Sequence, residues 1–206
     1  EISLGLVGSE MCIRDRLNGT VVECNTAYEG SRNTTEKHLK TIEKHGWSKY
    51  FDVDLMDAEG PDMILDIPEG KVIQKNYVGK DMENYDGMIV LSHFKGHPMG
   101  GYGGALKQLS IGCASSYGKA YIHGAGEPEK IWTADHDLFL ESMADAAKSV
   151  HEYFKGNILP GTVDTQTVLP DGSTHLSARY MLKGIDQNED SCRIYINNEV
   201  TSDTPK

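Results

Sequence analysis

At 206 residues, 38% apolar and 25% charged, the chain has the make-up of a soluble globular protein long enough for one sizeable core. A formal net charge of −11 argues against nucleic acid or an anionic membrane as the main partner, because both repel an acidic surface. No apolar run approaches the ~20 residues needed to cross a bilayer. The four cysteines are scattered, with no C-x-x-C, and form no disulfide framework; this favours a reducing, cytoplasmic setting.

Residues Leu6 to Asp15 read LVGSEMCIRD. The string resembles a translated sequencing-library adapter, so residues 1–16 are expected to lie outside the fold and Cys12 outside its chemistry. A signal peptide is disfavoured because Glu10, Arg14 and Asp15 interrupt any apolar core. Thr20 to Asn25 (TVVECN) reads as a short strand ending in polar groups. A loop follows through Tyr28, Gly30, Ser31 and Arg32. Asn33 or Thr34 then caps a helix that turns Leu39 and Ile42 inward and stops at Gly46. Glu23, Asn25 and Arg32 would gather at the strand's carboxyl end. Equally, Arg32 pairs with a surface carboxylate and Asn25 closes an Asx turn.

The densest chemistry lies between Asp86 and Gly126. Four consecutive apolar residues, Met88 to Leu91, predict a buried central strand of a parallel sheet. Ser92, His93, Lys95 and His97 follow, then Gly100, Gly101, Gly103 and Gly104, then a helix near Ala105 to Ser110 carrying Lys107. Open α/β sheets bind ligands at the carboxyl ends of their strands. Glycines let a ligand approach the main chain, Lys95 and Lys107 supply positive charge, and His93 and His97 can donate or accept protons. A plain strand-to-helix turn explains the same glycines. The spacing is neither a dinucleotide fingerprint nor a Walker loop. A two-histidine metal site is disfavoured, since Gly96 and Pro98 prevent the helix that would bring His93 and His97 onto one face; no metal site is expected. Cys113 has Lys107, Lys119 and His123 as possible activators, but free cysteine is usually buried and inert. Phe139, Met143, Ala146, Val150 and Tyr153 form the core stripe of a last helix, capped near Thr133, with Asp135, His136 and Asp137 in its exposed first turn.

Beyond Tyr153 the pattern changes. Leu176, Ala178, Tyr180 and Leu182 alternate with polar residues, as do Cys192, Ile194 and Ile196, which predicts an antiparallel hairpin around a loop at Asp186 to Asp190. The polar tail from Glu199 reads as frayed.

The run SHFKGHPMGGYGGALKQLSIGCASSYGKAYIHGAG resembles the family called domain of unknown function 362. The likeness rests on Lys95, Gly96, His97, Gly103, Gly104, Lys107, Gly112, Cys113, Ala114, Ser115, Gly118, Lys119 and His123, and covers about residues 17–153. It implies an α/β domain, here cut short at its start and near its end. Many relatives carry a ferredoxin-like cluster module, so the likeness also implies an iron–sulfur association and a ferredoxin-type redox partner. This chain lacks the closely grouped cysteines that cluster ligation needs, so no iron–sulfur cluster is expected in it. Gly161, Asp164, Thr165 and Gln166, then His175 to Gly184, resemble the start of a second family, domain of unknown function 3237. Together the two likenesses suggest a chimera of two incomplete modules, residues 17–153 and 154–206; a natural fusion is the alternative.

The expected fold is therefore α/β, a mainly parallel sheet with flanking helices followed by a carboxyl-terminal β-hairpin fragment. The expected site takes a small anionic ligand or an unidentified cofactor on Arg32, Lys95, Lys107, Gly100, Gly101, Gly103 and Gly104, with His93 and His97 as catalytic candidates. Three functional readings follow: a redox-associated enzyme, a non-catalytic phosphate- or carboxylate-binding module, and a chimeric fragment with no function of its own.

Overall fold

The computed structural model describes residues 19–90, 92, 95–155, 163–168, 174–185 and 191–202, the last three segments as backbone strands. The chain divides into two compact units, Thr20–Gly156 and a second containing Asn157–Lys206. Residues 1–16, to which the adapter likeness applies, lie outside the described residues, as does the loop at Asp186 to Asp190.

In the first unit, β1 (Thr20–Glu23) pairs in parallel with β2 (Asp52–Leu55), Thr20 opposite Asp52 and Glu23 opposite Leu55. The parallel pairing requires a crossover, which α1 (Thr35–His45) provides. Thr34 caps that helix by accepting from the Lys37 N–H, and Gly46 closes it in the left-handed region at φ 79°. The inward face differs from the expected one. Leu39 is 49% exposed, whereas His38 is 2% exposed. The polar end of β1 recruits His38, whose Nδ1 bonds the Asn25 side-chain oxygen at 3.1 Å, and adjacent helical positions then point 100° apart.

The remaining strands of this unit correct the expectation of a mainly parallel sheet. The α/β class holds, but β3 (Met63–Asp66) pairs antiparallel with β4 (Lys75–Val78), and β5 (Lys95–His97) pairs antiparallel with β6 (Gly101–Gly103). Their connections are too short for a parallel crossover. Met88 to Val90 form no strand either, and Leu91 lies outside the described residues. Met88 packs its sulfur 3.8 Å from that of Cys113, but Ile89 is 41% exposed, and no described segment pairs with this backbone. Apolar character alone does not make a strand; a neighbour must satisfy the main-chain groups.

After β6, a short helix α2 (Ala105–Lys107) runs into a π-helical turn at Gln108–Gly112, so the expected helix is present. The chain then meets β4. Val78 bridges Ala114, the Gly79 N–H donates to the Cys113 carbonyl at 3.1 Å, and the Ser115 N–H donates to the Tyr77 carbonyl at 3.0 Å. This seam starts α3 (Ser116–His123), capped by Ser115, whose hydroxyl oxygen accepts from the Gly118 N–H. The last helix of the unit, α4 (His136–Tyr153), is capped by Asp135 rather than Thr133, because the Asp135 carboxylate accepts from the Asp137 and Leu138 N–H groups.

Two buried clusters hold the unit. Ile67, Ile73, Ile111, Ile122, Phe139, Met143 and Ala146 make one; Cys24, Met56, Leu65, Val78, Met82, Cys113 and Val150 make the other. The expected stripe of α4 thus divides between them, with Tyr153 half-buried beside the second. In the second unit, β7 (Val163–Val168), β8 (Thr174–Ile185) and β9 (Ser191–Ser202) form an antiparallel sheet in the order β7-β8-β9. The expected hairpin is β8–β9, with Leu182 opposite Ile194; β7 adds a third strand, and β9 continues through residues expected to fray.

Candidate anion-binding site

The K-G-H signature is itself β5, and the turn after it returns through the glycines into β6. His97 stands opposite Gly101 and Lys95 opposite Gly103. Gly101 has φ 70°, a conformation that side-chain-bearing residues rarely adopt. Gly103 is buried, and a methyl there would sit 3.6 Å from the Lys95 stem and 3.9 Å from the Lys107 stem. Both lysines therefore lie against the same bare stretch of main chain. Gly100 donates its N–H to His97 Nδ1 at 2.9 Å, and Met99 does so at 3.3 Å. Gly104 begins α2 in an extended conformation.

Burial lowers the pKa of the Lys107 ammonium, and the charges of Lys95, Lys119 and Arg32 lower it further, against an opposing pull from Glu23. His97 is lowered by burial, then by Lys107 and Lys95. The charges of Lys95 and Arg32 are thus felt at Lys107, and those of Lys107 and Lys95 at His97. Arg32 also has the surface carboxylate partner weighed above: its guanidinium lies 3.6 Å from Glu23, both side chains being partly exposed. His93 lies outside the described residues. Ser92 donates its hydroxyl to the Gln108 side-chain oxygen at 2.6 Å.

Sequence reasoning named Lys119 only as a possible activator of Cys113 and a residue of the family likeness, and missed its buried partners. Lys119 is 5% exposed, and its ammonium donates to the Ala114 carbonyl at 2.6 Å and the Cys24 carbonyl at 3.3 Å. Asp57 accepts from the Asn25 and Ser116 N–H groups, both at 2.9 Å, tying the end of β1 to the start of α3. Asp62 accepts from the Ser115 hydroxyl at 2.6 Å, and burial raises its pKa. Asn25 closes no Asx turn; its amide donates to Thr35 while its oxygen receives His38. The family likeness marked Ser115 and Lys119, but Cys24, Asp57 and Asp62, which complete the arrangement, lie far away in sequence.

His38, His97 and His123 all have lowered pKa values, with burial the leading cause. Each is neutral in the native state and takes up a proton more readily once unfolded. The unfolded state then binds more protons, so stability is full above the ordinary imidazole value of 6.5 and is lost as pH falls below it. Thermal melts from pH 7.5 to 5 should show a falling midpoint, and His38→Gln should flatten that dependence. An unchanged midpoint would place His38 in a solvated setting.

Cys24 and Cys113 are buried, and burial drives both thiol pKa values upward, that of Cys113 to about 12. The Cys24 thiol donates to the Cys113 carbonyl at 3.6 Å. Neither has the thiolate character that a nucleophile needs. No group of three or more His, Cys, Asp or Glu among the described residues could hold a metal ion. These residues do not fit an iron–sulfur cluster. No helix among the described residues is long and apolar enough to cross a membrane.

The family described as Domain of unknown function (DUF362) matches residues 10–187, extending beyond the motif-bearing span at both ends. A UPF0311 protein of Clostridium acetobutylicum is 47% identical over 45 residues, 22% of this chain. The chain spans 26% of the length of that curated relative. No solved structure matches.

Proposed function

The chain belongs to the DUF362 family, and from that premise we propose that it binds a small oxyanion, phosphate or carboxylate, between Lys95 and Lys107 over Gly103. One observation carries this reading. Lys40, Lys130 and Lys148 each pair with a carboxylate one helical turn away. The stems of Lys95 and Lys107 both flank Gly103, neither has an ion-pair partner among the described residues, and each lowers the His97 pKa. Lys107 is half-buried and Lys95 exposed beside it, so an oxyanion lying over Gly103 would be drawn to both charges.

The other groups suit the same ligand. His97 accepts two main-chain N–H groups at Nδ1, so the neutral ring carries its proton on Nε2 and can only donate there. Arg32, shared with Glu23, extends the positive field toward β1. The Gly100 to Gly104 backbone lets an anion approach closely. A binding role needs only these groups; a catalytic role adds proton transfer by His97, with His93 as its sequence-level companion. The ferredoxin-type partner stays an implication of the family likeness, and the cytoplasmic setting an expectation from the scattered cysteines.

Titration of the isotopically labelled chain with inorganic phosphate, followed by amide NMR at constant ionic strength, tests the reading. Saturable shifts should centre on residues 95–107 and reach Arg32. Shifts spread evenly over surface lysines would dismiss the site.

A further inference from the structure

Every group assigned to the site so far donates hydrogen bonds or carries positive charge. His123 is a group of the opposite kind. It ends α3, and its Nδ1 lies 2.7 Å from the Lys119 carbonyl. A carbonyl only accepts, so Nδ1 holds the ring proton and Nε2 presents a lone pair. The ring is stacked on Phe139, with centroids 4.8 Å apart and planes 20° from parallel, which fixes where Nε2 points. Met99, two residues after His97, packs against the buried cluster that contains Phe139, so the β5–β6 turn and the His123 ring meet the same core.

We propose that His123 completes the anion site as its hydrogen-bond acceptor, so that the preferred ligand is an oxyanion bearing its own hydroxyl proton, of the hydrogen-phosphate class. The inference rests on the oxyanion-binding reading above. His97 and His123 then play opposite parts: one imidazole is locked as a donor by two N–H groups, the other as an acceptor by a carbonyl. The charges facing His123 fit this role. Burial keeps the ring neutral against the opposing effect of its Lys119 hydrogen bond, and Lys107, His97 and Lys119 reinforce that neutrality. A fully deprotonated anion such as sulfate would set an oxygen lone pair against the Nε2 lone pair. Hydrogen phosphate turns its P–OH there and its bare oxygens toward Lys95, Lys107 and His97. Sites built around a ligand hydroxyl discriminate strongly against analogues lacking it.

Calorimetry of the full chain with inorganic phosphate and with sulfate, at pH 7.5 and constant ionic strength, tests the proposal. The two anions are similar in size and charge. Phosphate should bind about tenfold or more tightly than sulfate. His123→Phe, which keeps the stacking on Phe139, should abolish the preference: phosphate weakens, and sulfate, freed of the opposing lone pair, does not. Equal wild-type affinities, or a folded His123→Phe protein that still prefers phosphate, would overturn the acceptor role and leave the oxyanion site standing. Failure to bind either anion would overturn both.

Discussion

Replacing Asp145 with alanine should lower the unfolding free energy by about 3 kcal/mol or more, a midpoint drop of roughly 10 °C. Asp145 lies on α4, 7% exposed, and its carboxylate accepts from three consecutive main-chain N–H groups. Lys71 donates at 3.1 Å, Val72 at 2.8 Å and Ile73 at 3.1 Å. These bonds tie the turn between β3 and β4 to the helix that covers it. Hydrogen bonds to an ionised acceptor contribute about 1.5–3 kcal/mol each, and truncation also leaves buried donors unpaired. Asp145→Asn retains one acceptor oxygen and should lose less than half as much. Circular dichroism melts of the two variants check the order; equal, small losses would show that water serves these N–H groups as well as the carboxylate does.

Gly118→Ala should be comparably damaging, although it adds only a methyl group. A Cβ at this position would lie 1.9 Å from the Tyr77 carbonyl oxygen and 3.2 Å from the Ala114 Cβ. The obstacle is main chain in the seam between β4 and α3, and it cannot swing aside as a side chain would. Relief means separating that seam, with the Ser115–Tyr77 hydrogen bond and the Val78–Ala114 bridge. The aromatic group above it would loosen too, since Tyr77 packs edge-on against Tyr117 and Tyr121, with centroids 4.9 and 5.0 Å away. The control is Gly87→Ala, where a Cβ meets nothing within 4 Å. Denaturant titration should show a loss of about 3 kcal/mol for Gly118→Ala and close to none for Gly87→Ala. Matching midpoints would mean that the seam can open without cost.

Local chemistry was legible in the sequence where neighbours decide it. The Thr34 and Gly46 caps, the α4 stripe from Phe139 to Val150 and the helix after the glycines all depend on residues within a few positions. Pairing was not. Met88 to Val90 have a strand's composition, but no described backbone pairs with them, whereas the mixed segments at Met63 and Lys75 pair through a partner that composition does not reveal. His38 displaced Leu39 from the inward face because Asn25, on another element, bonds its ring. Asp145 looks like an ordinary helix acid until the β3–β4 turn arrives above it. The site divides the same way. Lys95, His97 and Lys107 stand out as a motif, while the tautomer of His123 is set by a carbonyl and is invisible in any residue list.

In the proposed function, Lys95 and Lys107 together hold an anion over Gly103. Calorimetric titration of inorganic phosphate into the wild-type chain, Lys107→Ala and the Lys95→Ala/Lys107→Ala double variant, at one ionic strength, addresses it directly. One-site binding should weaken about tenfold or more in the single variant, as expected for loss of one charge-assisted hydrogen bond, and vanish in the double variant with the melting midpoint preserved. Phosphate binding that survives in a folded double variant would remove these two lysines from the site.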